Sequence, residues 1–204
     1  GVADTANSLA AIKKLVFEER KVSIGELIDL LDRNFEGAED MRQLLITKAP
    51  KYGNDEDCVD NIVKELIDFY VQKLRENSHS RVKFPAGVGT FERYVMFGKK
   101  LGATPDGRTA TSPISVNMSP TPGSSINGPT SAVKSFSKID FTDLPAGSPL
   151  DLSISKGVFQ GEEGLCRLMA FVKSFLRLGG NILSITLSDV ETLRRAQKEP
   201  EKYK

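Results

Sequence analysis

The stretch "GEEGLCRLMAFVKSFLRLGGNILSITL", Gly161 to Leu187, determines the predicted fold class. Its first part has an acidic beginning, a basic end and a stop at Gly179 and Gly180, which together predict a helix. The run "NILSITL" that follows is strongly apolar and predicts a buried strand. With the strand "LDLSI" before it and a helix after it, the order is strand, helix, strand, helix. This order favours an α/β fold with a partly parallel sheet.

The last helix of that order is predicted over "SDVETLRRAQKEPEKYK", from about Asp189 to near Lys204. Ser188 and Glu191 have the spacing of a capping box, so Ser188 is the expected N-cap. Pro200 removes a backbone donor in the last turns, and we expect the chain to leave the helix soon after it.

The first 80 residues predict helices. The segment from Ser8 to Phe17 carries apolar residues at helical spacing, and Asp40 to Ile46 predicts a short helix. Ser23 and Glu26 form a capping-box pattern at the start of "SIGELIDLLDRNF". A longer helix over "EDCVDNIVKELIDFYVQKL" has one broad apolar face, made of Val59, Ile62, Val63, Leu66, Phe69, Tyr70 and Leu74.

The pattern changes after Arg81. The stretch "RVKFPAGVGTFERYVMFG" predicts a strand interrupted by Pro85, Gly87 and Gly89. Residues 98–131 predict a long loop rich in Gly, Pro, Ser, Thr and Asn, and loops of this length are uncommon unless they are functional or disordered. The run "TSAVKSFSKI" that ends it is compatible with a strand or a helix.

Thr104-Pro105-Asp106-Gly107 is a predicted tight turn within this loop. Pro105 fixes φ at the first central position, Asp106 can bond its own backbone, and Gly107 adopts positive φ without steric cost.

The composition limits the classes of function. The 204 residues carry a formal net charge of +1 and are 39% hydrophobic. This balance argues against nucleic-acid binding, which needs a clustered basic excess. There is no apolar run of about eighteen residues to predict a membrane span, and no signal-peptide pattern. The two cysteines form no disulfide framework, so we expect a reducing cytoplasm.

The sequence predicts no self-sufficient catalytic group and no metal site. "GVGTFE" lacks the third glycine of the dinucleotide fingerprint, and "GKKLG" lacks the spacing of a phosphate loop. Asp55, Asp57 and Asp60 are interpreted as a helix N-terminus rather than a calcium loop. His79, the single histidine, is interpreted as a surface residue.

Neither cysteine has the setting of a catalytic thiol. Cys166 shares an apolar stripe with Leu165 and Met169, which predicts a buried core residue. Cys58 lies among acidic residues, which disfavour the thiolate. We expect both to be unpaired, and their joint replacement by Ala in a full-length protein to leave any turnover within a few fold.

Four stretches in this order carry a resemblance: "KAPKYGNDEDCVD", "FGKKLGATPDGR", "NMSPTPGSSINGPTSAVKS" and the run from Gly161 to Tyr203. Together they resemble the C-terminal half of the glycyl radical enzymes, the superfamily of pyruvate formate-lyase and diol dehydratase. The resemblance extends over most of the chain. It identifies the Thr104–Arg108 turn as one of the family's fixed loops, expected to shape the barrel rather than to take part in chemistry.

The resemblance implies a ten-stranded α/β barrel with flanking helices. Residues 1–80 would form a helical segment of the barrel domain, and residues 81–204 a half-barrel segment that ends before the glycyl radical motif. It also implies a backbone glycyl radical, installed by a separate S-adenosylmethionine iron–sulfur activating enzyme, and a thiyl radical on a cysteine that abstracts a substrate hydrogen. Expected partners are that activating enzyme, the remainder of the same polypeptide and a second copy in a homodimer. We expect no bound cofactor in this chain.

The chain contains neither a Gly-Cys-x-Glu motif nor an Arg-Val-x-Gly-Tyr motif. It begins without Met at a helix start and stops as a helix finishes, so we interpret both ends as cuts through a larger protein. The expected function is therefore that of the C-terminal part of a glycyl radical lyase, dehydratase or decarboxylase, inactive alone. The alternatives are a formate acetyltransferase and a non-catalytic interaction module on the same scaffold.

The candidate substrate-binding residues also follow from the resemblance, which implies that the strand around "FPAGVGTF" faces the active site. Alternation places Lys83, Pro85, Gly87, Gly89 and Phe91 on one face, nearly bare at the two glycines. The other interpretation is a strand kinked where another backbone approaches. The predicted substrate-binding set is Pro85, Gly87, Gly89, Phe91, Asn117 and Ser119.

One region is expected to lack a partner in this chain. It comprises Asn181, Ser184 and the loop from Asn117 to Pro120, beside which the radical glycine would lie in the full protein. We expect this region to be open, disordered or filled by another chain. The alternative is that the chain closes the gap itself, since exposed apolar surface is costly.

Overall fold

The computed structural model describes residues 1–79 and 84–203. Its helices and strands are, in chain order, α1 (Val2–Ala11), α2 (Ile24–Asp32), α3 (Glu39–Lys48), α4 (Asp57–Glu76), α5 (Arg93–Gly98), α6 (Gly128–Ser137), β1 (Pro149–Ser155), α7 (Gly161–Arg177), β2 (Ile182–Ser188) and α8 (Val190–Lys198). A π-helical stretch, Ile12–Glu18, continues α1, and short 3-10 turns cover Phe141–Asp143, Lys156–Phe159 and Pro200–Tyr203.

β1 and β2 are parallel neighbours, in register from Pro149 opposite Ile182 to Ser155 opposite Ser188. Parallel strands need a long crossover connection, and α7 supplies it. The predicted strand–helix–strand order is confirmed. Over the two described ranges, these strands form a sheet of two.

The two faces of this strand pair differ in polarity. The face that packs on the core carries Leu150, Leu152, Ile154, Leu183 and Ile185. The opposite face carries Asp151, Ser153, Ser155, Ser184, Thr186 and Ser188. The expectation of a fully buried β2 is therefore wrong, because its side chains alternate between the core and an open polar face.

The main core is centred on Phe136 of α6. Its ring stacks on Phe141 at 4.1 Å between centroids and lies 5.4 Å from the ring of Phe175 in α7. Ala132 and Val133 are buried beside it. The ambiguous run "TSAVKSFSKI" is thus mostly helical, and it joins α4, β1 and α7 in one apolar cluster.

α1 packs on α4 through small side chains. Ala3, Ala6 and Ala10 are almost completely buried, so the two helices approach closely. The apolar face predicted for α4 is only partly correct. Val59 and Val63 are fully buried, whereas 60% of Phe69 is exposed. Ile67 and Val71, absent from the predicted face, are buried instead.

A second apolar cluster holds the region around α2 and α3. Leu27, Leu30 and Leu45 pack there with Leu15 of the π-helical stretch. The predicted capping box of α2 is confirmed: the Glu26 amide donates to Ser23 Oγ at 3.2 Å, and the Ser23 amide donates to Glu26 Oε2 at 2.8 Å.

The last helices differ from expectation in three details. Cys166 in α7 is exposed, so its interpretation as a core residue is wrong within this chain. The N-cap of α8 is Asp189 rather than Ser188, because the Asp189 carboxylate accepts from the Thr192 amide at 2.6 Å. α8 ends at Lys198, before Pro200, so the predicted end near Lys204 is wrong, and a 3-10 turn covers Pro200–Tyr203; Lys204 itself lies outside the described residues.

The predicted tight turn is confirmed. The Gly107 amide donates to Thr104 O at 3.0 Å, and Thr104 Oγ1 donates to the Asp106 carboxylate at 2.6 Å. The φ angle of Gly107 is +95°. Arg42 of α3 donates from Nε to Gly107 O at 2.9 Å, so the turn is attached to the helical region.

Candidate substrate-binding site

Residues 84–90 form an extended segment without a strand ladder, and residues 93–98 form α5, so the predicted strand is wrong over this part of the chain. The segment instead pairs with the loop at 146–147. The Ala146 amide donates to Ala86 O at 2.9 Å, and the Val88 amide donates to Gly147 O at 3.0 Å. Lys83, placed on the predicted face, lies outside the described residues.

Gly87 is required by this close approach. A Cβ atom at Gly87 would lie 2.8 Å from Ala146 Cβ and 2.9 Å from Gly147 O, distances that real side chains do not tolerate. Another backbone thus approaches Gly87, as the other interpretation expected, and the role of Gly87 in substrate binding stays a prediction. Gly89 differs, since a Cβ there would meet the ring of Phe91 at 2.9 Å.

Asn117 connects this segment to the rest of the predicted site. Its side chain is buried, and its Oδ1 accepts from the amides of Thr90 at 2.8 Å and Phe91 at 3.0 Å. The backbone amide of Asn117 in turn donates to Thr90 Oγ1 at 2.9 Å. Both Phe91 and Asn117 have positive φ, +45° and +49°.

Asp151 of β1 completes the connection and is a residue that the sequence prediction missed. Its Oδ2 accepts from Asn117 Nδ2 at 2.7 Å and from Ser119 Oγ at 3.2 Å. The Asp151 amide donates back to Ser119 Oγ at 2.8 Å. The sequence feature that could have indicated Asp151 is its carboxylate, the single charge in the predicted strand "LDLSI".

A cavity of about 450 Å³ lies between α1, α4 and this segment. Gly87, Gly89 and Asn117 line it, together with Leu66, Tyr70 and Thr90. Tyr70 Oη donates to Gly87 O at 3.4 Å. The other predicted residues lie outside this lining: Pro85 and Phe91 are exposed, and Ser119 is buried against β1.

The region expected to lack a partner is only partly open. Asn181 and Ser184 are exposed, as expected. Asn117 and Ser119 are 3% and 2% exposed, so the expectation is wrong for this loop. The chain closes the gap there with its own residues, because Met118 also donates its amide to Pro149 O at 3.1 Å.

A second, more polar cavity of about 700 Å³ lies between the Thr104–Arg108 turn and the segment after α3. Lys51 and Asp106 line it and are 7% and 6% exposed. Lys51 Nζ donates to Leu45 O at 2.7 Å. Burial lowers the pKa of Lys51 to about 8, against the attraction of Asp106 and Glu56. Burial also raises the pKa of Asp106.

The acidic residues near α4 form the helix N-terminus that the sequence predicted. Asp57 and Asp60 lie in its first turn, and Lys138 Nζ donates to each at 2.7 Å. Burial acts to lower the pKa of Lys138, but these bonds raise it overall. Among residues 1–79 and 84–203, no group of histidine, cysteine and acidic residues could hold a metal ion.

The remaining candidate groups are exposed. His79 lies at the surface, as predicted. Cys58 and Cys166 are free thiols, which confirms that they are unpaired, and their dispensability stays a prediction. No helix in the described part of the chain is both long and apolar enough to cross a membrane.

Two family profiles together match almost the whole chain. Residues 1–98 match "Pyruvate formate lyase-like" and residues 114–204 match "Glycine radical". The chain belongs to the glycyl radical enzyme superfamily. This confirms the resemblance that the four sequence stretches carry.

Relatives within the superfamily align along all of the chain. It is 33% identical over 205 residues to trans-4-hydroxy-L-proline dehydratase from Clostridioides difficile. It is 37% identical over 211 residues to isethionate sulfite-lyase from Nitratidesulfovibrio vulgaris. These alignments cover 100% of the chain and 26% and 25% of the two relatives. The chain thus spans about a quarter of the length of these curated relatives.

Solved structures of the superfamily have the same arrangement of elements. The hydroxyproline dehydratase from Clostridioides difficile with bound trans-4-hydroxy-L-proline matches with a TM-score of 0.92 and 33% identity. The glycerol-bound B12-independent glycerol dehydratase from Clostridium butyricum matches with a TM-score of 0.90 and 35% identity. Each match covers 100% of this chain and 26% of the solved one.

Proposed function

We propose that this chain is part of a glycyl radical lyase or dehydratase that acts on a small organic substrate. The observation that carries this proposal is the alignment of the whole chain, at 33% and 37% identity, with a dehydratase and a sulfite-lyase. Both names describe elimination from a small molecule. The decarboxylase option of the sequence prediction has a counterpart in an indoleacetate decarboxylase, which is 30% identical.

The proposed reaction starts with abstraction of a substrate hydrogen atom and ends with elimination of a leaving group. In the full protein, the glycyl radical would supply the unpaired electron, after installation by a radical S-adenosylmethionine activating enzyme. Neither radical motif occurs in these residues, so we propose that the remainder of the polypeptide supplies both and that residues 1–204 alone are inactive. We also propose that the full protein forms a homodimer and is located in the cytoplasm.

The proposed role of this chain is to form part of a closed, ten-stranded barrel around the substrate. Radical intermediates need an interior that excludes water and oxygen. The parallel strands β1 and β2, which α7 connects, support such a barrel. The proposed contact residues are Pro85, Gly87, Gly89, Phe91, Asn117 and Ser119. The partly buried hydrogen bonds from the Thr90 and Phe91 amides to Asn117 support the grouping of these residues.

Anaerobic activation of the full-length protein tests the proposed function. The substrates to assay are trans-4-hydroxy-L-proline, isethionate, glycerol, 1,2-propanediol, 3-sulfopropanediol and indoleacetate. We expect one of them to lose water, sulfite or carbon dioxide only after the activating enzyme has acted. Formate and acetyl-CoA from pyruvate would instead support the acetyltransferase. Absence of a carbon-centred radical signal by electron paramagnetic resonance would support the non-catalytic module.

The contact residues need a separate test. Replacing Phe91 with Ala removes an exposed ring beside Gly89, and we expect KM for the substrate so identified to rise about tenfold. Glu92→Gln, at the next position, is the matched control because no described contact joins its side chain to Asn117. An unchanged KM in Phe91→Ala would remove Phe91 from the proposed set.

A further inference from the structure

Asp151 places a carboxylate on β1 without a cationic partner among the described residues. Its Oδ2 accepts instead from two neutral groups, Asn117 Nδ2 at 2.7 Å and Ser119 Oγ at 3.2 Å. Its neighbours on the same face of the strand, Ser153 and Ser155, are exposed. The carboxylate is therefore used to hold the 117–119 loop rather than to balance a charge.

The chemistry of the carboxylate determines how the Asn117 amide is oriented. An ionised carboxylate only accepts hydrogen bonds, so the NH2 end of Asn117 must face Asp151. The carbonyl end then faces the amides of Thr90 and Phe91, which donate to it at 2.8 Å and 3.0 Å. The two backbone donors and the carboxylate therefore favour the same orientation, and Asp151 is the described acceptor that anchors the NH2 end of the Asn117 side chain.

The orientation matters because the backbone at Phe91 is in an unfavourable conformation. Its φ of +45° is uncommon for a residue with a side chain, and such conformations persist only where surrounding bonds enforce them. The bonds to Asn117 Oδ1 contribute to this, beside the Arg93 amide, which donates to Thr90 O at 2.9 Å, and the Asn117 backbone amide, which donates to Thr90 Oγ1 at 2.9 Å. The same backbone, from Gly89 to Thr90, forms a wall of the 450 Å³ cavity.

We propose that Asp151 is a positioning residue for substrate binding: it orients the Asn117 side chain, which holds the turn at Thr90 and Phe91 in its binding conformation. This inference rests on the proposed function only where it concerns substrate. The physical link from Asp151 to the turn can be measured without any ligand.

Hydrogen–deuterium exchange of the full-length protein, without substrate, tests that link. The variant is Asp151→Ser, because serine already occupies the neighbouring positions of this strand face and cannot reach Asn117. We expect the amides of Thr90 and Phe91 to exchange about tenfold faster. Ser153→Ala, on the same strand face, is the matched control and should leave this exchange unchanged. Unchanged exchange in Asp151→Ser would overturn the proposal.

A double-variant cycle shows whether the effect passes through Asn117. Asn117→Gly removes the amide group and tolerates the positive φ. If Asp151 acts through Asn117, then adding Asp151→Ser to Asn117→Gly should not increase the exchange further. If Asp151→Ser increases the exchange of these amides equally in wild type and in Asn117→Gly, the proposal is contradicted. Should Asp151→Ser not fold, Asp151→Asn takes its place, with an increase of about threefold, since its amide can present either end to Asn117.

Kinetics separate this inference from the proposed function. With trans-4-hydroxy-L-proline and isethionate as probes, we expect Asp151→Ser to raise KM about tenfold while kcat changes less than about threefold. If the wild-type enzyme turns over neither probe but the Thr90 and Phe91 amides exchange faster in Asp151→Ser, the substrate assignment is refuted. The link from Asp151 to the turn is then kept. Faster exchange with an unchanged KM for a processed probe would overturn the role in substrate binding.

Discussion

Gly107 has no space for a side chain in the turn that attaches residues 104–108 to α3. Its φ is +95°, and a Cβ there would lie 2.4 Å from Ile46 Cγ1. Gly107→Ala would therefore force both a strained backbone and a displaced Ile46. We expect a loss of about 1–3 kcal/mol in the free energy of unfolding, measured by chemical denaturation of the full-length protein.

Gly25→Ala is the matched control for that variant. Gly25 lies in α2, its φ is not positive, and a Cβ there would meet no atom within 4 Å. Alanine favours the helix, so stability should stay unchanged or rise by up to about 1 kcal/mol. Equal losses in the two variants would show that the tight contact at Gly107 does not control stability.

Lys51 is expected to make stability depend on pH. Its pKa in the folded protein is lowered to about 8 from an ordinary value of 10.5, mainly by burial. Between these values the unfolded chain binds more protons than the folded chain, so stability rises with pH through this window. Below about pH 8 the cost of burying the charged amine is fully present. The total change is on the order of 3 kcal/mol.

Thermal unfolding of the full-length protein at several pH values, from about 7.5 to about 10, measures this effect. The Lys51→Met variant carries no titrating amine at this position, so the difference between wild type and variant isolates Lys51. We expect wild type to gain stability relative to the variant as pH rises. A constant difference over the window would show that burial does not shift the pKa of Lys51.

At the scale of elements, the start of α8 gives a prediction about capping. Asp189 accepts from the Thr192 amide at 2.6 Å and from Thr192 Oγ1 at 2.8 Å, and these bonds lower the pKa of Asp189. Asp189→Ala should therefore let the Thr192 amide exchange roughly five- to tenfold faster. Ser188→Ala should leave it unchanged. The reverse result would restore Ser188 as the N-cap.

Local patterns in the sequence predicted the elements whose causes are local. The capping box of Ser23 and Glu26 and the turn at Gly107 rest on contacts between residues close in sequence, and the structure confirms them. The strand–helix–strand order is also confirmed, because each element has its own local pattern, although β1 pairs with β2 through residues as distant as Pro149 and Ile182. Asp189 shows the limit, because two adjacent residues could both cap and only the backbone geometry decides between them.

The site was less predictable because its contacts are distant in sequence. Asn117 and Ser119 were predicted from family resemblance, but their common partner Asp151 is more than thirty residues away. The segment 84–90 has the alternation of a strand, yet its partner is the short loop at 146–147 rather than a sheet. Tertiary contacts therefore override the local pattern there.

At the scale of the whole molecule, Phe136 joins elements from both halves of the chain. It is fully buried and contacts the rings of Phe141 and Phe175. Phe136→Ala should cost about 3–5 kcal/mol in the free energy of unfolding of the full-length protein, since it leaves a cavity among α4, α6 and α7. Phe136→Leu fills most of that space and should cost less than half as much. Similar losses of stability in Phe136→Ala and Phe136→Leu would show that the ring contacts, rather than the filled volume, account for the effect.

The alternation along β2 has a consequence for errors in strand pairing. A slip of one residue against β1 would turn Ser184 and Thr186 toward Leu152 and Phe175, and would expose Leu183 and Ile185 in their place. Two hydroxyl groups would then be desolvated without partners, at a cost of roughly 1–3 kcal/mol each. A newly made β2 is therefore expected to reject alignments shifted by one residue, whereas a shift of two residues would keep its apolar side chains on the core face.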